Sequence, residues 1–137
     1  MHLVVVFNCN LGHNSYIMMK KGDKMKYDVY QFVLSNSMID EVNSSDSQRP
    51  AFYEKYLNVT WKPTAESILE AKEYFKKVAT IEAENFGQVF EIGNIGPEEN
   101  ITRHDRMHSV SVGDVVVRED GTAKFVDRIG FGSVLFN

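Results

Sequence analysis

Three consecutive valines, Val115–Val117, lead into Glu119-Asp120-Gly121, after which Ala123, Phe125 and Val126 resume a β-favouring run. This pattern leaves the C-terminal part of the 137-residue chain few alternatives to an antiparallel hairpin. An Asp-Gly pair is the strongest short-range turn signal, because Gly accepts the positive φ of a tight hairpin turn and Asp tolerates it. Beyond the hairpin, Gly130-Phe131-Gly132 permits a sharp redirection into a third short run, Ser133–Phe136. Three C-terminal strands are expected.

Upstream, Tyr27–Ser35 reads as a strand, rich in aromatic and β-branched residues. The polar stretch Asn36–Pro50, with Asn43-Ser44-Ser45-Asp46-Ser47, reads as a loop, and Ala51–Trp61 is dense in aromatics before Pro63. Thr64 is placed to cap a helix over residues 65–74, with Ala65, Ile68 and Leu69 on one face. Val78, Thr80 and Ile81 are β-branched, which favours a strand over Phe75–Ile81. Glu82–Gly93 then reads as a second amphipathic helix, with Gly93 and Asn94 at its C-cap. Gly96-Pro97 breaks the chain, and Glu98–Met107 is a charged connector.

The expected fold is α+β, with a mainly antiparallel sheet of four to five strands and two helices packed on one face. The expected core draws on Val29, Phe32, Ile68, Leu69, Val78, Phe86, Val89, Phe90, Val115, Val117, Phe125, Val126, Ile129 and Phe131. Residues 25–137 are expected to form one domain. Residues 1–24 are read as a leader extension that packs poorly. Lys20-Lys21-Gly22-Asp23-Lys24-Met25 can be encoded by a string with a purine-rich AGGAG element just before an ATG at Met25. The alternative is a true strand, Leu3–Phe7, paired at a sheet edge, followed by a loop.

A composition that is 43% hydrophobic and 25% charged belongs to a globular chain. The net charge of −4 gives no general attraction for a phosphate backbone. Cys9 is the sole cysteine, which excludes an intrachain disulfide framework and a Cys-rich zinc site, and suits a reducing cytoplasm. Leu3–Phe7 is far shorter than the ~20 apolar residues that span a bilayer, so no membrane partner is expected.

Candidate chemistry is sparse. His104 and His108, four apart, would share one face of a helix and present a metal pair, but two ordinary surface histidines are the default reading. His108, Ser109, Ser111 and Asp114 suggest a Ser-His-Asp set, yet the nucleophile elbow G-x-S-x-G is missing. A structural role is the stronger reading: Gly113 supplies an unusual backbone angle and Asp114 caps the turn that starts the hairpin. The glycines form neither a GxGxxG nor a Walker loop, so no cofactor is expected and no catalytic residue is assigned. A binding surface is expected to involve Arg103, Arg106, His108, Ser109, Ser111, Asp127 and Arg128. If the connector folds beside the hairpin, Arg103, Arg106, Arg118 and Arg128 would converge on a phosphate-reading cluster. Otherwise these arginines pair with Asp105, Glu119, Asp120 and Asp127.

The run Ser109-Val110-Ser111-Val112-Gly113-Asp114-Val115-Val116, together with Val126-Asp127-Arg128-Ile129-Gly130-Phe131, resembles the C-terminal part of YodL-like domains and related small proteins of phages, plasmids and conjugative elements. Val89-Phe90-Glu91-Ile92-Gly93-Asn94 and Tyr27-Asp28-Val29-Tyr30-Gln31 extend the likeness upstream. Arg128 stands where those proteins often carry Ser, and Val110 where they carry Leu. The resemblance implies a mobile-element setting in a bacterial host cell and no defined activity. The resulting expectation is a non-enzymatic accessory protein that binds a host protein, with the aromatics of 52–61 as contact anchors. The alternative is a small RNA- or nucleotide-binding domain of the PUA or ASCH type, using the Arg-rich connector. A free strand edge would permit a homodimer.

Overall fold

A computed structural model describes residues 23–44 and 50–136 in full, and the backbone of two N-terminal strands. Those strands, β1 (Leu3–Asn8) and β2 (Ser15–Lys20), pair antiparallel with each other, Leu3 opposite Lys20 and Asn8 opposite Ser15. Cys9 and residues 10–14 lie outside the described residues, as do residues 45–49 of the polar stretch.

The main sheet has six strands: β3 (Met25–Phe32), β4 (Phe75–Ala83), β5 (Ile101–Arg103), β6 (Val115–Arg118), β7 (Ala123–Val126) and β8 (Phe131–Ser133). Their order is β5-β4-β3-β6-β7-β8, and every neighbouring pair is antiparallel. The class is therefore α+β, with six strands where four to five were expected. The β6–β7 hairpin forms where expected, with Val115 opposite Phe125 and a turn in which Gly121 takes φ +95°. The third C-terminal strand is shifted: β8 is Phe131–Ser133, and 134–136 instead lay Val134 and Phe136 into the core. Both edge strands, β5 and β8, are only three residues long, which limits edge-to-edge pairing.

Among the described residues four α-helices accompany the sheet: α1 (Asn36–Ser44), α2 (Ala51–Trp61), α3 (Ala65–Glu70) and α4 (Phe86–Ile95). The polar stretch expected as a loop carries α1, whose first turn is capped by Ser35: its Oγ accepts from Met38 N at 3.2 Å. Thr64 caps α3 as expected, in a reciprocal box with Ser67 at 3.0 and 2.9 Å. That helix ends at Glu70, and a short 3₁₀ turn, Lys72–Tyr74, feeds β4. The second helix expected from Glu82 starts four residues later, because Asn85 accepts from Gln88 N at 2.8 Å and fixes the N-terminus. It also outruns the expected cap at Gly93-Asn94 and ends at Ile95, with Gly96 as its C-cap.

Alternation along β3, β6 and β7 sends neighbouring side chains to opposite faces, and both faces are covered. One core lies under α4, where Phe86, Val89 and Ile92 meet Tyr27, Val29, Ile81, Val116 and Val126. The other lies under α2 and α3, where Val59 and Ile68 meet Phe32, Val115, Phe125 and Phe136. The two expected helices thus sit on opposite faces. Three expected core residues point outward: Leu69, Phe90 (41% exposed) and Ile129 (94% exposed).

Candidate functional site

Between α2 and the loop 108–114 lies a cleft of about 220 Å³, walled by Phe32, Leu34, Tyr56 and Val59 and edged by Thr60, His108, Ser111 and Asp114. Its loop wall is built by a tight turn. Ser111 N donates to Asp114 Oδ2 at 3.0 Å, and Asp114 N donates back to Ser111 O at 3.0 Å. Gly113 takes φ +94° in the third position, as a type II turn requires. A Cβ at Gly113 would lie 2.5 Å from Val59 O, so glycine also lets the loop approach the C-terminal end of α2.

The turn is tied to the sheet by Gln31, a buried residue on β3 just past the bulge between Val29 and Tyr30. Its side-chain amide pairs with both backbone groups of His108: Nε2 donates to the carbonyl at 2.9 Å, and Oε1 accepts from the N–H at 3.2 Å. The second Nε2 proton goes to Asp114 Oδ2 at 3.0 Å. Gln31 thereby acts as a substitute strand partner for a segment that has left the sheet. With both Gln31 protons committed, its 3.3 Å contact with His108 Nδ1 is not a hydrogen bond. Nδ1 lies 2.7 Å from Ser109 O and must carry a proton to donate there. Neutral His108 therefore keeps Nε2 as an acceptor.

Asp114 is the one buried carboxylate beside the cleft. Burial pushes its pKa up to about 7, against the opposing pull of the Ser111 backbone, His108 and Gln31. No Ser-His-Asp relay forms here, since the His108 ring nitrogen that donates is directed to Ser109 O.

Of the residues expected at a binding surface, the structure brings His108, Ser109 and Ser111 together in this loop and leaves the arginines apart. Arg103 sits on the edge strand β5 and is paired with Glu98. Arg128 lies in the β7–β8 turn, with β4, β3 and β6 between them. The connector pairs with β4 rather than lying beside the hairpin, so the phosphate-reading cluster does not assemble. Arg106 is exposed, and its backbone N–H donates to Asp105 Oδ1. Lys76 takes Asp105 at 2.5 Å, and this hydrogen bond holds the Asp105 carboxyl below its ordinary value. Arg118 does pair with Asp120, at 2.7 Å. Asp127 Oδ1 accepts from Arg128 N, whereas the Arg128 guanidinium donates to Trp61 O at 2.9 Å and caps the C-terminus of α2.

His104 and His108 are not on a helix. Thr80 Oγ1 gives its proton to Asp28 at 2.7 Å, so His104 Nε2, 2.8 Å from the same oxygen, must be the donor there. That nitrogen is then protonated and unable to bind a metal. Among the described residues no group of three His, Cys, Asp or Glu side chains is placed to hold a metal ion. No described helix is long and apolar enough to cross a membrane.

No protein-family model, curated protein or solved structure matches the chain. What it can do rests on its own surfaces. A second feature is a shallow groove along α2 itself, lined by Tyr53, Leu57, Asn58, Trp61 and Lys62. The spacing of Tyr53, Leu57 and Trp61, four residues apart, places them on one helical face, with Trp61 66% exposed. The exposed Ile129 follows Arg128 in the turn that reaches Trp61. Gln31 was missed from sequence as a site residue; a lone amide within the aromatic run Tyr30-Gln31-Phe32 is the signal that marks it.

Proposed function

We propose that this chain is a non-enzymatic accessory protein of a phage or other mobile element, of the YodL-like kind, which acts by binding a host protein through α2. The observation that carries the reading is the outward face Tyr53-Leu57-Trp61, where a tryptophan is left two-thirds exposed. Tryptophan and tyrosine dominate the energetics of protein interfaces, and their exposure is costly unless a partner covers them. Arg128 adds support, since its guanidinium donates to Trp61 O and ties down the end of α2 that carries the face. The RNA-binding alternative loses ground, because Arg103 and Arg118 are ion-paired and Arg103 and Arg128 lie far apart in the sheet.

The test is affinity capture from bacterial host lysate with nuclease treatment, comparing wild type with a Trp61→Ala/Leu57→Ser variant whose circular dichroism matches wild type. A host protein retained stoichiometrically after nuclease and weakened roughly 30-fold or more by the substitutions is the expected result, as for an interface hot spot. Equal capture by wild type and variant would remove α2 as the docking face, and nuclease-sensitive recovery would favour the RNA reading.

A further inference from the structure

We infer that the cleft between α2 and the loop 108–114 is a binding site for a small organic cation, an ammonium or guanidinium head on a short apolar stem. This inference does not depend on the protein-docking role of α2, whose outward face is lined by other residues.

Shape and proton bookkeeping together select the ligand. The space of about 220 Å³ equals roughly seven waters at ~30 Å³ each, enough for a single ring or a four- to five-atom chain with its head group. Phe32, Leu34, Tyr56 and Val59 provide the apolar wall, with the Phe32 and Tyr56 rings 5.3 Å apart edge to face. The polar edge consists almost wholly of acceptors. Both hydrogen bonds made by the Asp114 carboxylate land on Oδ2, which leaves Oδ1 for a ligand. Neutral His108 has its Nδ1 proton committed to Ser109 O, so its remaining ring nitrogen is an acceptor. Thr60 spends its proton on Tyr56 O at 2.9 Å and offers only lone pairs. Ser111 is exposed and its hydroxyl is free to turn either way. Neither lysine nor arginine lines the cleft. A carboxylate with two acceptors near an aromatic wall matches a donor-rich cation, and rejects anions and acceptor-only molecules.

The same chemistry could be delivered by a free amine or by the Lys or Arg side chain of a peptide. The experiment is an NMR amide-shift titration of the full chain at about pH 8, where the Asp114 carboxyl, with its pKa of about 7, is mostly ionised, with 2-phenylethylammonium, with 2-phenylethanol as the uncharged isostere, and with an acetylated, amidated Gly-Arg-Gly peptide. Saturable shifts concentrated at 108–114 and at Thr60, with the alcohol at least tenfold weaker, are expected. Asp114→Asn and, independently, Thr60→Phe, which fills the mouth while keeping the acid, should each weaken the cation at least tenfold. Tighter binding of the peptide than of the amine would assign the cation to a partner's side chain; the reverse would assign it to a free metabolite. Equal response to amine and alcohol, no saturation by either cation, or full retention in folded Thr60→Phe would overturn the proposal.

Discussion

Asp114 shows how far a single residue departs from its ordinary behaviour when the fold closes over it. In the unfolded chain its carboxyl titrates near 3.8, and in the folded protein burial raises it to about 7. The folded state therefore holds a proton, between about pH 4 and 7, that the unfolded state has lost. The stability this contributes is fully present below pH 4, falls as pH rises through the window and levels off above 7. Its span is on the order of 4 kcal/mol. Asp120 has the opposite sign. Burial alone would raise it, but the Arg118 hydrogen bond and those from Thr122 hold it below its usual value, so its contribution appears above the ordinary carboxylate range and fades as pH falls through the lowered pKa. Urea midpoints taken from pH 5 to 8 should thus decline for wild type and stay nearly flat for Asp114→Asn; parallel declines would show that another group titrates. The turn-capping role of Asp114 was legible in Ser-Val-Gly-Asp, because it is local. Its link to Gln31 was not, since 83 positions separate them and only the sheet brings them together.

At the level of elements, local chemistry was readable where one signal had no competitor. The β6–β7 hairpin and the Thr64 cap are of that kind, each decided within five residues. Where two signals compete, boundaries moved: Ile81 and Ala83 are buried strand positions of β4, so the apolar pattern at 82–93 was shared between a strand and a helix. Polar composition hid α1, which has no buried residue and touches the core only through Met38. Leu69 and Phe90 fit a helical stripe, but a short α3 and an α4 pressed close to Val110 leave them on the outer side. Gly113 is where the loop and α2 are matched to one another, and it supplies a clean test. Gly113→Ala would place a Cβ against Val59 O in a positive-φ conformation, and roughly 2–4 kcal/mol of stability should be lost. Gly130→Ala shares the positive φ, at +73°, but meets open space, so about 1 kcal/mol is expected. Chemical denaturation of both variants separates the close approach from the backbone cost; equal losses would mean that the contact with α2 is unimportant.

Across the whole molecule, one sheet serves two cores. Val115 and Val116 are adjacent, yet the first packs under α2 and α3 and the second under α4. Phe125 and Val126 divide in the same way, so neither core can loosen without disturbing strands that the other needs. This arrangement was beyond the reach of periodicity, because alternating burial on both faces looks, within one strand, like a continuous apolar run. Its consequence is cooperativity. The near-ultraviolet signal should come mainly from the α2 side, from Trp61 and from the cluster of Phe32, Tyr56, Tyr74, Phe75 and Phe136 with ring centroids 5.0–5.9 Å apart, while Tyr27 adds a smaller part from the α4 side. The far-ultraviolet signal reports all helices and strands. Val89→Ala, a truncation on the opposite face, should cost on the order of 2 kcal/mol. In a single cooperative unit that loss moves the near- and far-ultraviolet urea midpoints together, even though Val89 lies in the other core from most of the reporting rings. If the far-ultraviolet midpoint shifts while the near-ultraviolet one stays, the two layers melt independently and the shared sheet does not couple them.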